Sequence, residues 1–325
     1  MTTPDSAPNG LLLLDKPQGP SSHELVAGTR KALGTRRVGH AGTLDPMATG
    51  LMVLGAGPAT RLLGYVTGAD KDYEATVRLG VSTSTEDAEG RIVAAAPPGA
   101  VAAADRDRVL AGMRRLTGRI MQVPSAVSAI RVDGVRAYRR VRDGEEVRLE
   151  ARPVEIAAFE LLGMREASAP EGPVRDLEVR VRCSSGTYIR ALARDLGAWL
   201  GTGAHLTRLR RTRVGPFELA DAARLDDGPE LLRGRILSPA DAAAALFPVI
   251  RADDVEALAL RQGRRPRLRP PARGDRAQPP DRAAVLDGDG RLVGLVELGE
   301  RGADGSAPAR PLFNMPVPAP GRVES

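Results

Sequence analysis

Two segments alternate between apolar and charged or polar residues, and that period of two limits the fold more than any other feature. In "DYEATVRLG" the apolar positions are Tyr73, Ala75, Val77 and Leu79; in "VRDLEVRVRC" they are Leu177, Val179, Val181 and Cys183. Alternation of this kind predicts strands buried on one face only. Elsewhere the spacing is helical. Ser21 followed by Glu24 matches a capping box, and Leu25, Val26, Thr29 and Leu33 mark one face of a helix that Gly34 ends. Val109, Leu110, Met113 and Leu116 predict the inward side of a helix from Asp105 to Leu116. Ile189, Leu192, Ala193, Leu196, Trp199 and Leu200 do the same for a helix opened by a Ser/Thr cap. Leu11–Leu14 and "LMVLG" read as short strands, "TRRVGHAGTLDPMATG" as a long loop with apolar punctuation, and "PATRLLGYV" as a short helix with Pro58 at its first position. Strands and helices mixed without strict alternation predict an α+β fold on a mixed, largely antiparallel sheet flanked by helices. No internal repeat is present.

The C-terminal texture differs. "RQGRRPRLRPPARGDRAQPPDRA" is rich in Pro and Arg and is expected to be a linker or mobile loop. After it, "AAVLDGDGRLVGLVELG" reads as a β-hairpin with a Gly/Asp turn, and "ARPLFNMPVPAP" as one further strand. The expected organisation is a tail over 1–9, a catalytic domain over 10–245 and a small β-rich domain over 246–325, with the Pro/Arg segment at 261–282.

A formal charge of +6 and a pI near 10.0 favour an anionic partner such as nucleic acid. "RKALGTRR", "RVDGVRAYRR" and "RLRRTR" cluster arginines, which collectively predict salt-sensitive RNA binding. All but three of the 47 basic residues are Arg, so the exceptions, Lys16, Lys31 and Lys71, stand out. A lone Cys183 excludes an intramolecular disulfide and fits a reducing compartment, and with only three His a zinc site of the usual kind is not expected. No apolar run approaches the length needed to span a bilayer, and "MTTPDSAPNG" lacks the basic start and apolar core of a secretory signal. No membrane association is therefore expected, and a cytoplasmic location is.

The chemistry centres on "HAGTLDPMATG". An aspartate before proline is commonly just a turn residue. Here Gly39, Gly42 and Gly50 let backbone approach a ligand closely, Pro46 pushes Asp45 towards extended geometry, and His40 adds a polar, potentially cationic group. A carboxylate used as nucleophile or base needs such a rigid mount.

Read together and in order, "LLLLDKPQGPSSHELV", "RRVGHAGTLDPMATGLMVLGAGPATRLLGYV", "DKDYEATVRLG" and "CSSGTYIRALARDLG" resemble the bacterial TruB-type tRNA pseudouridine synthases over roughly Gly10 to Pro216. The resemblance implies a pseudouridine-synthase-like fold with a PUA-like C-terminal domain. It implies isomerisation of the T-loop uridine, position 55 of tRNA, in a flipped-out state. Asp45 matches the family's nucleophilic aspartate, Arg190 the arginine paired with it, and Tyr73 the tyrosine stacking on the base, with a possible part in proton transfer. His40, Tyr188 and Leu209 match substrate-binding positions. The segment at about 118–150 resembles an insertion that clamps the T loop. The residues agree with these roles: an extruded base is usually held by aromatic stacking. A cation in a helix's first turn is awkward, and a partner such as Asp45 would relieve it. The isomerisation oxidises nothing and transfers no group to a second molecule, so no cofactor and no metal are expected. A tRNA T stem-loop is the expected partner, with no obligate protein partner and a monomeric enzyme. Two other readings remain: an RNA-binding protein without catalysis, and a synthase working with a guide RNA.

Overall fold

The computed structural model describes residues 7–126, 131–132, 135–136, 149–270 and 281–316. Most of the expected clamp at 118–150, most of "RVDGVRAYRR" and residues 271–280 of the Pro/Arg segment lie outside them.

The large sheet has nine strands. Its elements run β1 (Gly10–Lys16), α1 (Ser22–Leu33), β2 (Val38–His40), β3 (Thr49–Ala56), β4 (Lys71–Leu79), α2 (Arg106–Arg115), β5 (Gly118–Gln122), β6 (Arg152–Ala169), β7 (Gly172–Cys183), α3 (Ile189–Leu200) and β8 (Ala204–Val214). The strand order is β1-β3-β8-β4-β7-β6-β5, with β2 beside β3 and the short strand Phe217–Glu218 beside β8. Every pairing is antiparallel except β3 with β8, where Arg210 faces Thr49 and Arg211 faces Gly50. The expected mixed, largely antiparallel sheet is what the chain builds.

The alternating strands behave as their pattern dictates. Tyr73, Ala75, Val77, Leu79, Leu177, Val179, Val181 and Cys183 join Leu25, Val26, Val109, Met113, Leu192 and Leu196 in one core beneath α1, α2 and α3. The charged positions pair across the other face, where Asp72 bonds Arg182 and Arg213, and Asp176 bonds Arg78 and Arg165. Opposite charges directly across neighbouring strands support the register. α1 opens with the expected capping box of Ser21 and Glu24 and closes on a left-handed Gly34.

Beyond α4 (Pro239–Leu246), a second sheet of β9 (Val249–Arg251), β10 (Arg267–Leu268), β11 (Arg282–Leu286), β12 (Leu292–Leu298) and β13 (Ala307–Asn314) has the order β9-β11-β12-β13-β10. The hairpin and the last strand are those the sequence predicts. Ala242 and Ala243 of α4, with Ala284, Leu286 and Leu295, share a core with Leu11, Leu13, Leu51 and Val53 on the opposite face of β1 and β3. The small sheet therefore supports the strand that carries the Asp45 loop.

Three expectations need correction. "TRRVGHAGTLDPMATG" is not all loop, because Val38–His40 pairs with β3; three residues centred on glycine carry no alternation to reveal a strand. Part of the Pro/Arg segment is ordered, since Arg267 and Leu268 pair with β13 and Leu268 is fully buried. Trp199 is 40% exposed rather than inward, its ring lying at the edge of the α2–α3 contact over Gly112. Among the described residues no helix is long and apolar enough to cross a membrane.

Gly50 fixes where the Asp45 loop meets the sheet. Its φ is +99°, and a Cβ there would lie 2.2 Å from the carbonyl oxygen of Arg211. Gly50→Ala is expected to destabilise the fold by at least about 2 kcal/mol, combining backbone strain with a clash against main chain that cannot yield. Urea denaturation measures it; an unchanged midpoint would mean that the β3–β8 contact is not tight.

Candidate active site

Asp45 sits in the eight-residue loop 41–48 that joins β2 to β3, and the loop is fastened at almost every residue. Ser22 of α1 accepts from Leu44 N–H and donates to Leu44 O, both at 2.9 Å. Gly19 N–H donates to Pro46 O at 2.9 Å, and Ala48 N–H donates to Asp45 O at 3.1 Å. Leu44, Met47 and Ala48 are buried in the core. From below, Lys16 donates to Pro46 O at 3.1 Å and to Ala48 O at 2.6 Å, while Arg211 donates to Gly42 O at 3.2 Å and to Leu51 O at 2.7 Å. Lys16 and Arg211 are almost fully buried, and burial holds the Lys16 ammonium below its usual pKa although Asp45 opposes the shift. Lys71, beside Arg211 and bonded to Thr67 O and Ala69 O, is pushed down to about 8 by burial. Loop carbonyls thus solvate buried cations, and in return the cations fix the loop.

Arg190 reaches Asp45 from α3. Its Nε donates to Asp45 Oδ2 at 2.9 Å, and the Asp87 Oδ2 carboxylate oxygen lies 3.6 Å away. Nη1 donates to Thr85 O at 2.9 Å and to Ser125 Oγ at 2.7 Å. The arginine side chain is only 4% exposed whereas that of Asp45 is 36% exposed, so the pair has a buried cation and an accessible carboxylate. Among the described residues, Asp45, Asp87, Thr85 and Ser125 hold the guanidinium; the carboxylate is left one side to present to a ligand. That asymmetry suits a nucleophile held in place by a charge-assisted bond.

The helix carrying Arg190 is not capped by Ser or Thr as expected. Tyr188 is its N-cap and makes no side-chain cap bond. Gln122 takes over from β5, accepting from Tyr188 N–H at 2.9 Å and donating to Tyr188 O at 3.1 Å. Tyr188 is half-buried, two residues from Arg190.

Tyr73 lies on the core face of β4 and is 7% exposed. Burial pushes its phenol above the usual pKa, opposed by the Arg211 guanidinium nearby. Leu209, paired with Ala75 across β8 and β4, is buried on the same core. His40 closes β2, its ring edge-on to His23 with centroids 6.0 Å apart. Burial lowers its pKa, so the potentially cationic His40 is offered as a neutral imidazole, and its buried Nδ1 has no partner among the described residues.

The arginines of "RLRRTR" are not a free basic patch. Arg208 pairs with Glu74 and Glu178, Arg210 with Asp15 and Arg213 with Asp72, while Arg211 is buried. One signal was available: Arg211 falls in step with Leu209, in the register of core positions. Asp87, Thr85 and Ser125 carried no comparable mark, because each matters only through a fold that brings it to Arg190. Among the described residues no group of three or more His, Cys, Asp or Glu is placed to hold a metal ion.

The chain is similar to known proteins along most of its length. Residues 30–189 match the model of the TruB family pseudouridylate synthase N-terminal domain, and residues 190–243 that of the tRNA pseudouridylate synthase B C-terminal domain. Both spans end before the five-stranded sheet. The chain is 52% identical over 310 residues to a tRNA pseudouridine synthase B from Leifsonia xyli subsp. xyli, covering 95% of this chain and 97% of the relative. It is 54% identical over 258 residues to one from Thermobifida fusca, covering 79% and 86%. A chain in the solved structure of an H/ACA ribonucleoprotein bound to a substrate RNA containing 2′-deoxyuridine has a TM-score of 0.67 at 24% identity, covering 98% of this chain and 92% of that one, a likeness of fold.

Proposed function

The chain belongs to the TruB family of pseudouridylate synthases, and from that premise we propose that it isomerises the T-loop uridine of tRNA to pseudouridine with Asp45 as nucleophile. It is an isomerase of the tRNA pseudouridine synthase class. The observation that carries the residue assignment is the Asp45–Arg190 pair, whose carboxylate is open and whose guanidinium is enclosed.

The reaction must break the N1–C1′ glycosidic bond, turn the uracil and join C5 to C1′. The C5 proton leaves and N1 gains one, so the atoms balance. Asp45 attacks either C1′ or the base, forming a covalent intermediate that divides a hard step into two easier ones. Arg190 keeps the carboxylate aimed, so little reorganisation is needed as charge moves. The uracil must be extruded from its stack, with Tyr73, Tyr188 and Leu209 forming the pocket and His40 contacting the displaced RNA. The Tyr73 hydroxyl is the group we assign to proton transfer at C5: burial keeps it protonated, so it relays the proton, giving up its own as it accepts the one from C5. The enzyme acts alone on bare tRNA, as a cytoplasmic monomer without cofactor.

Tyr73→Phe keeps the ring and is expected to leave tRNA affinity within about twofold while slowing single turnover about a hundredfold through loss of proton transfer. Wild-type turnover would restrict Tyr73 to stacking. For the reading as a whole, the purified chain is mixed with an unmodified tRNA transcript and the T-loop nucleotide is analysed. Pseudouridine without added RNA or protein supports it; tight binding without product would instead make this an RNA-binding protein.

A further inference from the structure

Arg190 has a companion one turn along the same helix. Arg194 donates from Nη1 to Glu86 Oε1 and from Nη2 to Val123 O, both at 2.7 Å, and from Nε to Asp195 Oδ1 at 2.9 Å. Glu86 lies between Thr85 and Asp87, and Val123 is two residues from Ser125, so Arg194 holds the same two chain segments that supply partners to Arg190. Residues four apart on a helix share a face, which is why two arginines can grip those segments side by side.

The turn being gripped is under strain. Among the described residues Glu86 is the non-glycine residue with positive φ, at 63°. Its main chain is committed: Glu86 N–H donates to Thr83 O, and its carbonyl accepts from Leu206 N–H at 3.0 Å. Its side chain is 15% exposed, and Oε2 is buried with no hydrogen-bond partner among the described residues. A left-handed backbone under a half-satisfied carboxylate is costly and persists only where surrounding contacts enforce it. Thr83 and Thr85 tie the turn to Asp87, and Arg194 is the side chain that reaches it from the helix and bonds the Glu86 carboxylate. Were the turn to relax, the Thr85 carbonyl and the Asp87 carboxylate would shift from Arg190, and Arg190 would lose its aim on Asp45.

We propose that Arg194 and Glu86 are a positioning pair for the reaction, holding the turn 83–87 and the Val123–Ser125 segment so that Arg190 presents Asp45 in register with the substrate. Neither touches the uridine. The proposal rests on the reading that Asp45 and Arg190 are the reacting machinery.

Glu86→Gln, Glu86→Asn, Arg194→Gln and Arg194→Lys are each assayed by single turnover at saturating enzyme, with tRNA affinity and thermal midpoint measured in parallel. Glu86→Gln and Arg194→Gln are expected to slow the chemical step about ten- to a hundredfold, with tRNA affinity within about twofold, since small misplacements cost rate rather than binding. Asparagine tolerates the left-handed backbone, so an equally slow Glu86→Asn assigns the effect to the carboxylate. Arg194→Lys restores the contact with Glu86 and recovers part of the rate. The double variant Glu86→Gln/Arg194→Gln is no slower than the slower single, because one interaction is lost. Arg175→Gln, which breaks the ion pair with Glu166 on another part of the sheet, serves as the control for loss of stability alone. Wild-type rates in both single variants, or losses that follow only the unfolded fraction as in that control, overturn the proposal. If Asp45→Asn is inactive while these variants are normal, only the positioning pair falls; if Asp45→Asn is fully active, both readings fall together.

Discussion

Asp45→Asn is expected to abolish pseudouridine formation while leaving tRNA affinity within a few-fold. The loss should be at least about a thousandfold in single turnover, roughly 4 kcal/mol of transition-state stabilisation. The amide has nearly the same shape as the carboxylate and can still accept from Arg190 through its oxygen, so the loop keeps its form. That loop is also held independently of the Asp45 side chain, by Ser22, Lys16, Gly19 and Arg211 acting on neighbouring main-chain groups. Failure to bind tRNA with the fold intact would mean that Asp45 holds the RNA rather than reacting with it.

Arg190→Met should have the second-largest effect, and it should fall on both activity and stability. Removing the guanidinium leaves the Asp87 carboxylate, 5% exposed, without its cation, and leaves the Thr85 carbonyl and Ser125 hydroxyl each short of a partner. Breaking a buried ion pair from one side costs about 3–5 kcal/mol; the share owed to Asp45 is smaller because that carboxylate is partly solvated. Single turnover should fall at least about a hundredfold beyond what unfolding explains. Arg190→Lys should restore part of the stability but little of the rate, since an ammonium cannot serve Asp45, Thr85 and Ser125 from one planar fork. Full activity in the lysine variant would show that charge alone suffices.

What the sequence makes legible here is what local chemistry dictates. The capping box of Ser21 and Glu24 and the period-two strands act within a few residues, and each appears in the fold as expected. The scarcity of lysine was a usable clue as well: Lys16 and Lys71 are both buried beside the Asp45 loop. Illegible were the contacts that join distant segments. Gln122 caps the Arg190 helix from 66 residues away, and Thr85 and Ser125 reach Arg190 across 105 and 65 residues. The arginines of β8 misled for the same reason, because their carboxylate partners lie on β1, β4 and β7 and nothing local marks them as taken.

The most direct measurement is a crystal structure of the chain bound to a T stem-loop RNA. The account predicts that the uridine is out of its stack, with an Asp45 carboxylate oxygen within about 3.5 Å of its C1′ or C6 and Arg190 still on the other oxygen. A uridine left stacked in the loop, or an Asp45 turned to solvent away from the nucleotide, would contradict it.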